Sequence, residues 1–340
     1  MKLKILLAIL GLGFFSVGDV WALEGLSLVV SPLPINLITT PGVTVSAQLK
    51  IKNGGSQPET LQVGLMKFSA YGDEGKPRLT DRETGDNYFD WMTFSEDYFE
   101  INPNEWKTIT ATITVPEEAA FGYYYAVTFS RKNDDVSAVA GETKVIGATA
   151  SLILVEVRVP NAIRDIEVLE FSTQRKVYEF LPTEFTVKLK NKGNVHVAPR
   201  GDIFIDGWGK KDIALLPINE IKGNVLPNSN RVFTTSWTDG FPVFKPEIEG
   251  ETVVTDRQGK VKNKLVWDFA SVLKLRWGKY TANMLLVYDD GTRDVPIEGK
   301  LTFWVVPWRI LAVGGLVVIL IVLGIWSIVK GVVKNIKRKT

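Results

Sequence analysis

The sequence predicts an all-β protein of two tandem sandwiches, followed by a single transmembrane α-helix. Three observations carry this prediction. Apolar and polar residues alternate with period two through most of residues 23–305, proline and glycine interrupt the alternation at short intervals, and Ile310–Val329 contains no charged residue. Alternation with frequent turn residues is typical of half-buried strands, and a long uncharged stretch is typical of a membrane-spanning helix.

Residues 1–22 have the features of a secretory signal peptide. Lys2 and Lys4 form a charged start, and the apolar run Ile5–Val17 is too short to span a bilayer. Val20 and Ala22 then occupy the −3 and −1 positions of a cleavage site, which predicts cleavage after Ala22.

Four segments are the clearest strands of the first predicted sandwich. Each alternates or is rich in β-branched and aromatic residues, and each is bounded by Pro, Gly or Asn. They are Thr44–Lys52, Thr108–Val115, Tyr123–Phe129 and Leu152–Val159.

A weak internal repeat predicts a second sandwich like the first. Leu49–Gly55 parallels Val187–Gly193, Ile101–Asn104 parallels Val225–Asn228, and Phe121–Ala126 parallels Trp277–Ala282. The third pair brings a Gly-x-Tyr sequence, ending at Tyr124 and Tyr280, to the start of a late strand. Because the tyrosine corner of immunoglobulin-like folds has this form, the sequence predicts two tandem immunoglobulin-like domains.

The domain boundary is predicted near Pro160, giving domain one over 23–159 and domain two over 160–305. Domain two includes a long connection, 239–268, for which shielding of the core and partner binding are both open. Residues 308–329 form the predicted transmembrane helix, with tryptophans near its ends, and the basic segment 330–340 is predicted to be cytoplasmic by the positive-inside rule.

Composition restricts the function classes. The chain has no cysteine and one histidine, which excludes disulfide scaffolds, zinc fingers and thiol enzymes. Its small positive charge comes from the two ends, so the part between them is mildly acidic and no nucleic-acid partner is expected. No nucleophile elbow or phosphate loop is present, so we expect no enzyme activity, cofactor or metal requirement.

The environment is predicted to be the bacterial envelope. Residues 23–305 lack both cysteine and an Asn-x-Ser/Thr sequon, which a eukaryotic secreted segment of this size would usually contain. We therefore expect a single-pass protein of the bacterial cell membrane whose N-terminal part is extracytoplasmic.

The stretch from Tyr71 to Glu105 is the candidate binding region, because it is both acidic and aromatic. Gly72–Tyr88 is expected to be a long exposed loop, and long loops on sandwiches often bind ligands. Aromatic faces beside carboxylates suit sugars. A solvated acidic loop and a calcium site are the alternatives left open. The candidate ligand-binding residues are Tyr71, Asp73, Glu74, Asp86 and Tyr88.

A family resemblance rests on turns and strand starts in both domains: Pro41-Gly42, Asn53, Asp90-Trp91, Ile101–Glu105, Val115–Ala119, Phe121–Tyr124 and Asn191–His196. With the helix and basic tail, this pattern resembles bacterial WxL-interacting proteins. The resemblance implies a peptidoglycan-binding first domain and a partner-binding second domain before one transmembrane helix.

Three functions follow from these observations. The leading prediction is a non-enzymatic surface protein that binds envelope glycan, such as peptidoglycan, or other surface proteins through its β-sandwiches. The first alternative is a membrane-tethered immunoglobulin-like chaperone or assembly factor, which would need a basic anchor between the domains and an open edge strand. The second is a wall-acting glycoside hydrolase using the acids of 73–105.

Overall fold

The predicted fold class is confirmed: the chain forms two β-sandwiches and one long C-terminal helix. The computed structural model describes residues 25–132, 148–250, 252–256 and 261–337, with side chains of the helix described to residue 330. The predicted signal peptide and its cleavage site at Ala22 lie outside the described residues.

The described residues of the first sandwich form ten strands. They are β1 (Leu28–Ser31), β2 (Ile35–Thr39), β3 (Thr44–Asn53), β4 (Glu59–Tyr71), β5 (Lys76–Thr80), β6 (Met92–Phe94), β7 (Tyr98–Ile101), β8 (Trp106–Thr114), β9 (Phe121–Arg131) and β10 (Ala148–Val157). One sheet has the order β1-β3-β8-β6, and the other has the order β2-β10-β9-β4-β5, with β7 also paired to β4.

The second sandwich contains the remaining twelve strands. They are β11 (Ile166–Thr173), β12 (Val177–Tyr178), β13 (Thr183–Asn191), β14 (Arg200–Gly207), β15 (Lys210–Ile218), β16 (Asn230–Trp237), β17 (Val243–Pro246), β18 (Ile248–Glu249), β19 (Thr252–Val253), β20 (Asn263–Val266), β21 (Gly278–Asp289) and β22 (Asp294–Val305). Its two sheets have the orders β11-β13-β16 and β12-β22-β21-β14-β15.

Alternation sets each core because successive side chains of a strand point to opposite faces. In β3 and β8 the inward positions include Leu49, Ile51, Ile109 and Ile113, all fully buried. In domain two, Phe185, Val187 and Leu189 of β13 likewise point inward and are buried in the core. The four strands predicted for domain one are all present, within a few residues of the expected bounds.

The tyrosine-corner prediction is confirmed in one domain and shifted by one residue in the other. In domain two, the Tyr280 hydroxyl accepts a hydrogen bond from the backbone N–H of Trp277, at 3.1 Å. In domain one the equivalent bond, from Ala120 N–H, goes to Tyr123 at 3.2 Å and not to Tyr124. Tyr124 lies on the other face of β9, against the ring of His196 in domain two.

The connection 239–268 contains two small hairpins among its described residues. β17 pairs with β20 and β18 pairs with β19, and a short 3-10 turn, Phe269–Lys274, follows. Phe241 and Val243 of this segment are buried, so part of it does shield the core.

The C-terminal helix, α1 (Trp308–Lys337), begins three residues after β22 ends. Its first 23 residues, Trp308–Lys330, are long and apolar enough to cross a membrane. No other helix among the described residues meets this criterion.

Candidate functional site

The five predicted ligand residues are distributed over different surroundings. Tyr71 ends β4 and is 62% exposed. Asp73 forms an ion pair with Lys188 of domain two at 2.5 Å, and this bond holds the pKa of Asp73 below its usual value. Glu74 pairs with Lys76 at 2.5 Å on the surface. Asp73 and Glu74 are therefore each paired with a lysine and Tyr71 faces solvent, so these three residues do not enclose a cavity.

Asp86 and Tyr88 are part of the structure that supports domain one. Asp86 pairs with Lys67 at 3.2 Å and accepts the backbone N–H of Glu83 at 3.0 Å. Tyr88 packs on Tyr123 and Tyr125 with ring centroids 5.4 and 5.2 Å apart, and burial raises its pKa well above the ordinary value. The expected loop Gly72–Tyr88 instead contains β5 and the start of a 3-10 turn. Glycan binding by these five residues stays a prediction.

A groove lies between the two domains near this region. It has a volume of about 640 Å³ and is formed by the outer face of the β2-β10-β9-β4-β5 sheet and by the loop before β16. Its lining includes Phe68, Leu79, Leu152, Leu154, Leu226 and Arg231.

The register explains why the floor of this groove is apolar. Leu154 of β10 pairs with Tyr124 of β9, and Leu152 pairs with Ala126, which itself pairs with Met66 of β4. Side chains opposite one another in neighbouring strands lie on the same face of a sheet. These residues, with Phe68 and Leu79, form one apolar cluster that Leu226 of domain two contacts from the other side.

Strand β10 has an edge that is only partly covered. β2 runs parallel to it and pairs with Ile153–Val157, whereas the described ladder on that side contains no partner for Ala148–Leu152. The chain just before β2 cannot continue the ladder as a donor, because Pro32 and Pro34 have no N–H. On its other side β10 pairs with β9 along its whole length, Ala148 to Val157. The chain before β2 still lies beside this half, because the Ser151 hydroxyl donates to the carbonyl oxygen of Pro32 at 3.3 Å. The first half of β10 is therefore a partly shielded edge without ladder partners among the described residues, at the mouth of the groove.

A cation faces the groove from domain two. The guanidinium of Arg231 donates to the carbonyl oxygen of Asn224 at 2.7 Å and lies over the ring of Phe233, 5.2 Å from its centroid. Burial lowers the pKa of Arg231, and no carboxylate pairs with it among the side chains that the structure describes. Gly75 and Gly223 approach the guanidinium so closely that a Cβ at either position would force the Arg231 side chain to shift.

A buried ion pair and a buried histidine lie between the domains behind the groove. Glu156 at the end of β10 pairs with Arg164 of the connection to domain two, and both side chains are buried. His196, the only histidine, is buried beside them, and desolvation followed by the charge of Arg164 lowers its pKa to about 4. The imidazole thus has a position between domains rather than at an accessible surface.

The described residues contain no group of three or more His, Asp or Glu side chains placed to hold a metal ion. The sequence reasoning missed the groove and Arg231 altogether. A signal for the groove was present: Leu152 to Val155 is apolar on both faces, which is typical of a strand covered on both sides rather than one facing solvent.

Comparison with known proteins gives similarity only at the level of solved structures. No family model and no curated protein matches the chain. The chain is similar to the class 5 fimbriae chaperone CfaA, at 18% identity over 71% of this chain and 100% of that chain, with a TM-score of 0.34. It is also similar to the E. coli chaperone DraB, at 13% identity over 81% and 98%, with a TM-score of 0.31. The Pseudomonas aeruginosa CupB2 chaperone gives 9% identity over 82% and 100%, with a TM-score of 0.31.

Proposed function

We propose that this chain is a membrane-tethered chaperone or assembly factor that binds an extended segment of another extracytoplasmic protein. The segment adds to the open first half of β10 and lies over the interdomain groove. The similar solved structures are chaperones by name, but their TM-scores are too low to carry an argument. The proposal therefore rests on the geometry of β10.

The single observation that supports it most is the coincidence of an open edge with an apolar row. Strand addition uses free main-chain groups for affinity and alternate side chains for specificity. Ala148–Leu152 offers the main-chain groups, and Ala150, Leu152 and Leu154 line the groove beside them. The chain before β2, which contacts Ser151 through the carbonyl of Pro32, would have to move aside or share this edge when the segment binds.

Arg231 provides the second part of the site. A half-buried cation with no carboxylate partner among the described side chains suits an anionic group of the bound segment, such as a chain-terminal carboxylate. A chaperone of this kind needs an edge strand and a basic group between its domains, and the first half of β10 and Arg231 are the candidates for these two parts.

The membrane attachment is assigned to α1. A peptide segment with the length and hydropathy of Trp308–Lys330 spans the hydrocarbon core of a bilayer. Attachment there would keep both domains on the extracytoplasmic side, where unassembled envelope proteins emerge.

Photocrosslinking in intact cells tests the proposal directly. A photoreactive amino acid replaces Leu152 in the groove or, as the control, Tyr98, which is 57% exposed on β7 of the same domain. We expect a discrete protein adduct from position 152 and none from position 98. Adducts with wall glycan, or equal labelling from both positions, would contradict the chaperone function and favour the glycan prediction.

A pair of substitutions then separates the edge from the cation. Leu152→Asp places a charge in the apolar row, and Arg231→Met removes the cation while keeping most of its length. We expect each to reduce the adduct formed from a third groove position, Leu79, by roughly tenfold, as loss of a central contact in an interface does. Lys190→Met is the matched surface control on β13 and should leave the adduct unchanged.

A further inference from the structure

Large apolar side chains are exposed together at the end of domain two where the chain enters α1. They are Trp208 in the β14–β15 turn, Phe269, Val272 and Leu273 in the 3-10 turn, and Trp277 just before β21. Leu273 is 96% exposed and Phe269 is 72% exposed, so most of each side chain lies outside the core. Such a cluster marks an interaction surface.

The strand register places Trp208 and Trp277 at the end of the sheet from which the chain enters α1. Gly278, which follows Trp277, pairs with Val305, the last residue of β22. Tyr280 pairs with Gly207, which precedes Trp208, so the β14–β15 turn lies at the same end of the sheet. Trp208 donates its indole N–H to the carbonyl of Trp277, and their ring centroids are 4.8 Å apart.

The exposed turn is held in place by specific contacts. Asp268 accepts the backbone N–H of Ala270 at 3.2 Å, and Lys274 pairs with Asp239 at 2.6 Å. Phe269 stacks on Trp267, which contacts the buried Phe241 at 5.7 Å between centroids. The apolar side chains are thus presented by a defined support.

The distance to the membrane is short. Only Val306 and Pro307 separate β22 from α1, a span of roughly 7 Å at the extended length per residue. Arg309 in the first turn of α1 also pairs with Glu179 of domain two at 3.3 Å. A domain attached this closely to a spanning helix has that end within reach of the lipid headgroups.

We propose that this surface, the membrane-facing tip, inserts into the outer interface of the same bilayer that α1 spans. The inference rests on the proposed anchoring by α1. Tryptophan side chains favour the headgroup level, and apolar side chains flanked by lysine favour an anionic lipid surface. Lys210, Lys211 and Lys279 are exposed at this end of the domain. The tip would fix the orientation of domain two, and with it the groove, relative to the membrane.

Site-specific fluorescence on the full chain tests the tip. The chain has no cysteine, so Leu273→Cys gives a single attachment site for an environment-sensitive dye without changing a buried residue. The protein is reconstituted into nanodiscs of phosphatidylethanolamine and phosphatidylglycerol that carry a doxyl quencher in the acyl chain. The control is Ile221→Cys, which is 81% exposed at the opposite end of domain two.

We expect quenching at position 273 to exceed that at position 221 by roughly threefold or more, because interfacial side chains lie about 5–10 Å within the headgroup boundary. A third variant, Leu316→Cys in α1, separates the two levels of the argument. If Leu316→Cys is quenched and Leu273→Cys is not, the tip inference is wrong and the anchor stands. If neither is quenched, the anchoring fails and the tip inference fails with it.

Discussion

The two domains fasten one corner of their sandwiches with the same asparagine contacts. In domain one, the Asn53 amide donates to the carbonyls of Gln57 and Ile101 at 2.8 and 3.2 Å, and its oxygen accepts the Gly55 N–H at 2.8 Å. In domain two, Asn191 donates to Val195 and Val225 at 2.8 and 2.9 Å, and accepts from Gly193 at 2.8 Å. Both asparagines are fully buried. The internal repeat therefore reflects a shared structural device.

The domains differ at their margins rather than in their cores. In domain one, the first half of β10 has no ladder partner from β2 among the described residues and lies beside a groove, whereas domain two adds the 239–268 segment and an exposed apolar tip. The two domains thus share the same core packing and asparagine corner but differ in the strands and turns at the margins of their sheets. Core positions are constrained by packing from both sheets, and margins are free to acquire binding surfaces.

The largest expected effect comes from breaking the junction between the domains. Arg164→Met leaves the buried Glu156 carboxylate with only its longer contact to Arg158, so we expect the free energy of unfolding to fall by about 3–5 kcal/mol. Arg158 lies 3.6 Å from the same carboxylate but is mostly exposed, so Arg158→Met is the control. Thermal unfolding of the full chain in detergent measures both. Equal losses from the two variants would mean that burial of the ion pair does not matter.

The second test compares how much the two corner asparagines contribute to the free energy of unfolding. Asn191→Ala removes the partner of the Val195 carbonyl and of the Gly193 N–H, whereas the Val225 carbonyl still accepts the Val197 N–H at 3.1 Å. We expect a loss of about 3 kcal/mol. Asn53→Ala should cost about 2 kcal/mol, because its contact with Gln57 is only partly buried. Asn87→Ala, at an exposed site of domain one, should stay within about 0.5 kcal/mol. A smaller loss for Asn191→Ala than for Asn53→Ala would show that burial of the bonded groups does not set the cost.

The third test uses the pH dependence of the domain interface. His196 has a folded pKa of about 4 against 6.5 for the free side chain, so the unfolded chain binds the extra proton between these values. Stability should therefore fall as the pH drops through that window, by about 2 kcal/mol from about pH 7 to about pH 5. His196→Gln should flatten this part of the curve. A wild-type protein with no slope there would show that the imidazole is not buried in solution.

The smallest effect is expected from the surface contact between the domains. Lys188→Met removes the partner of Asp73, and exposed ion pairs contribute little because water and salt screen them. We expect a slightly lower melting temperature in low salt that disappears in high salt. Lys190→Met, two residues along the same face of β13, should not change the melting temperature. A salt-independent loss at Lys188 would indicate a packing role for its alkyl chain.

Much of the domain-one fold was accessible from local pattern. The alternation in Thr44–Lys52 identified β3, and the paired Asn-x-Gly and Pro-Asn turns identified equivalent corners in both domains. These features are local, because a strand shows its period within a few residues and a turn within four. Tyr280 was predicted correctly for the same reason.

The candidate site was not accessible in this way. Tyr88 and Asp86 have the composition of a binding loop, yet one packs among aromatic rings and the other bonds to Lys67. Composition reports which side chains are available, whereas their neighbours depend on strand pairing far along the chain. The shift of the corner tyrosine from 124 to 123 has the same origin, because the register of β9 against β10 decides which face each residue occupies.

The sequence by itself determined the fold class, the strands that alternate, the repeated corners and the apolar segment that forms α1. Only the tertiary structure decided that β2 stops short of Ala148–Leu152, that Arg231 faces the domain-one sheet, and that Leu273 stands exposed in the turn before β21. The physical reason is the range of the forces. Periodicity and turn chemistry act between near neighbours, whereas an open edge or a groove is a relation between segments separated by tens of residues.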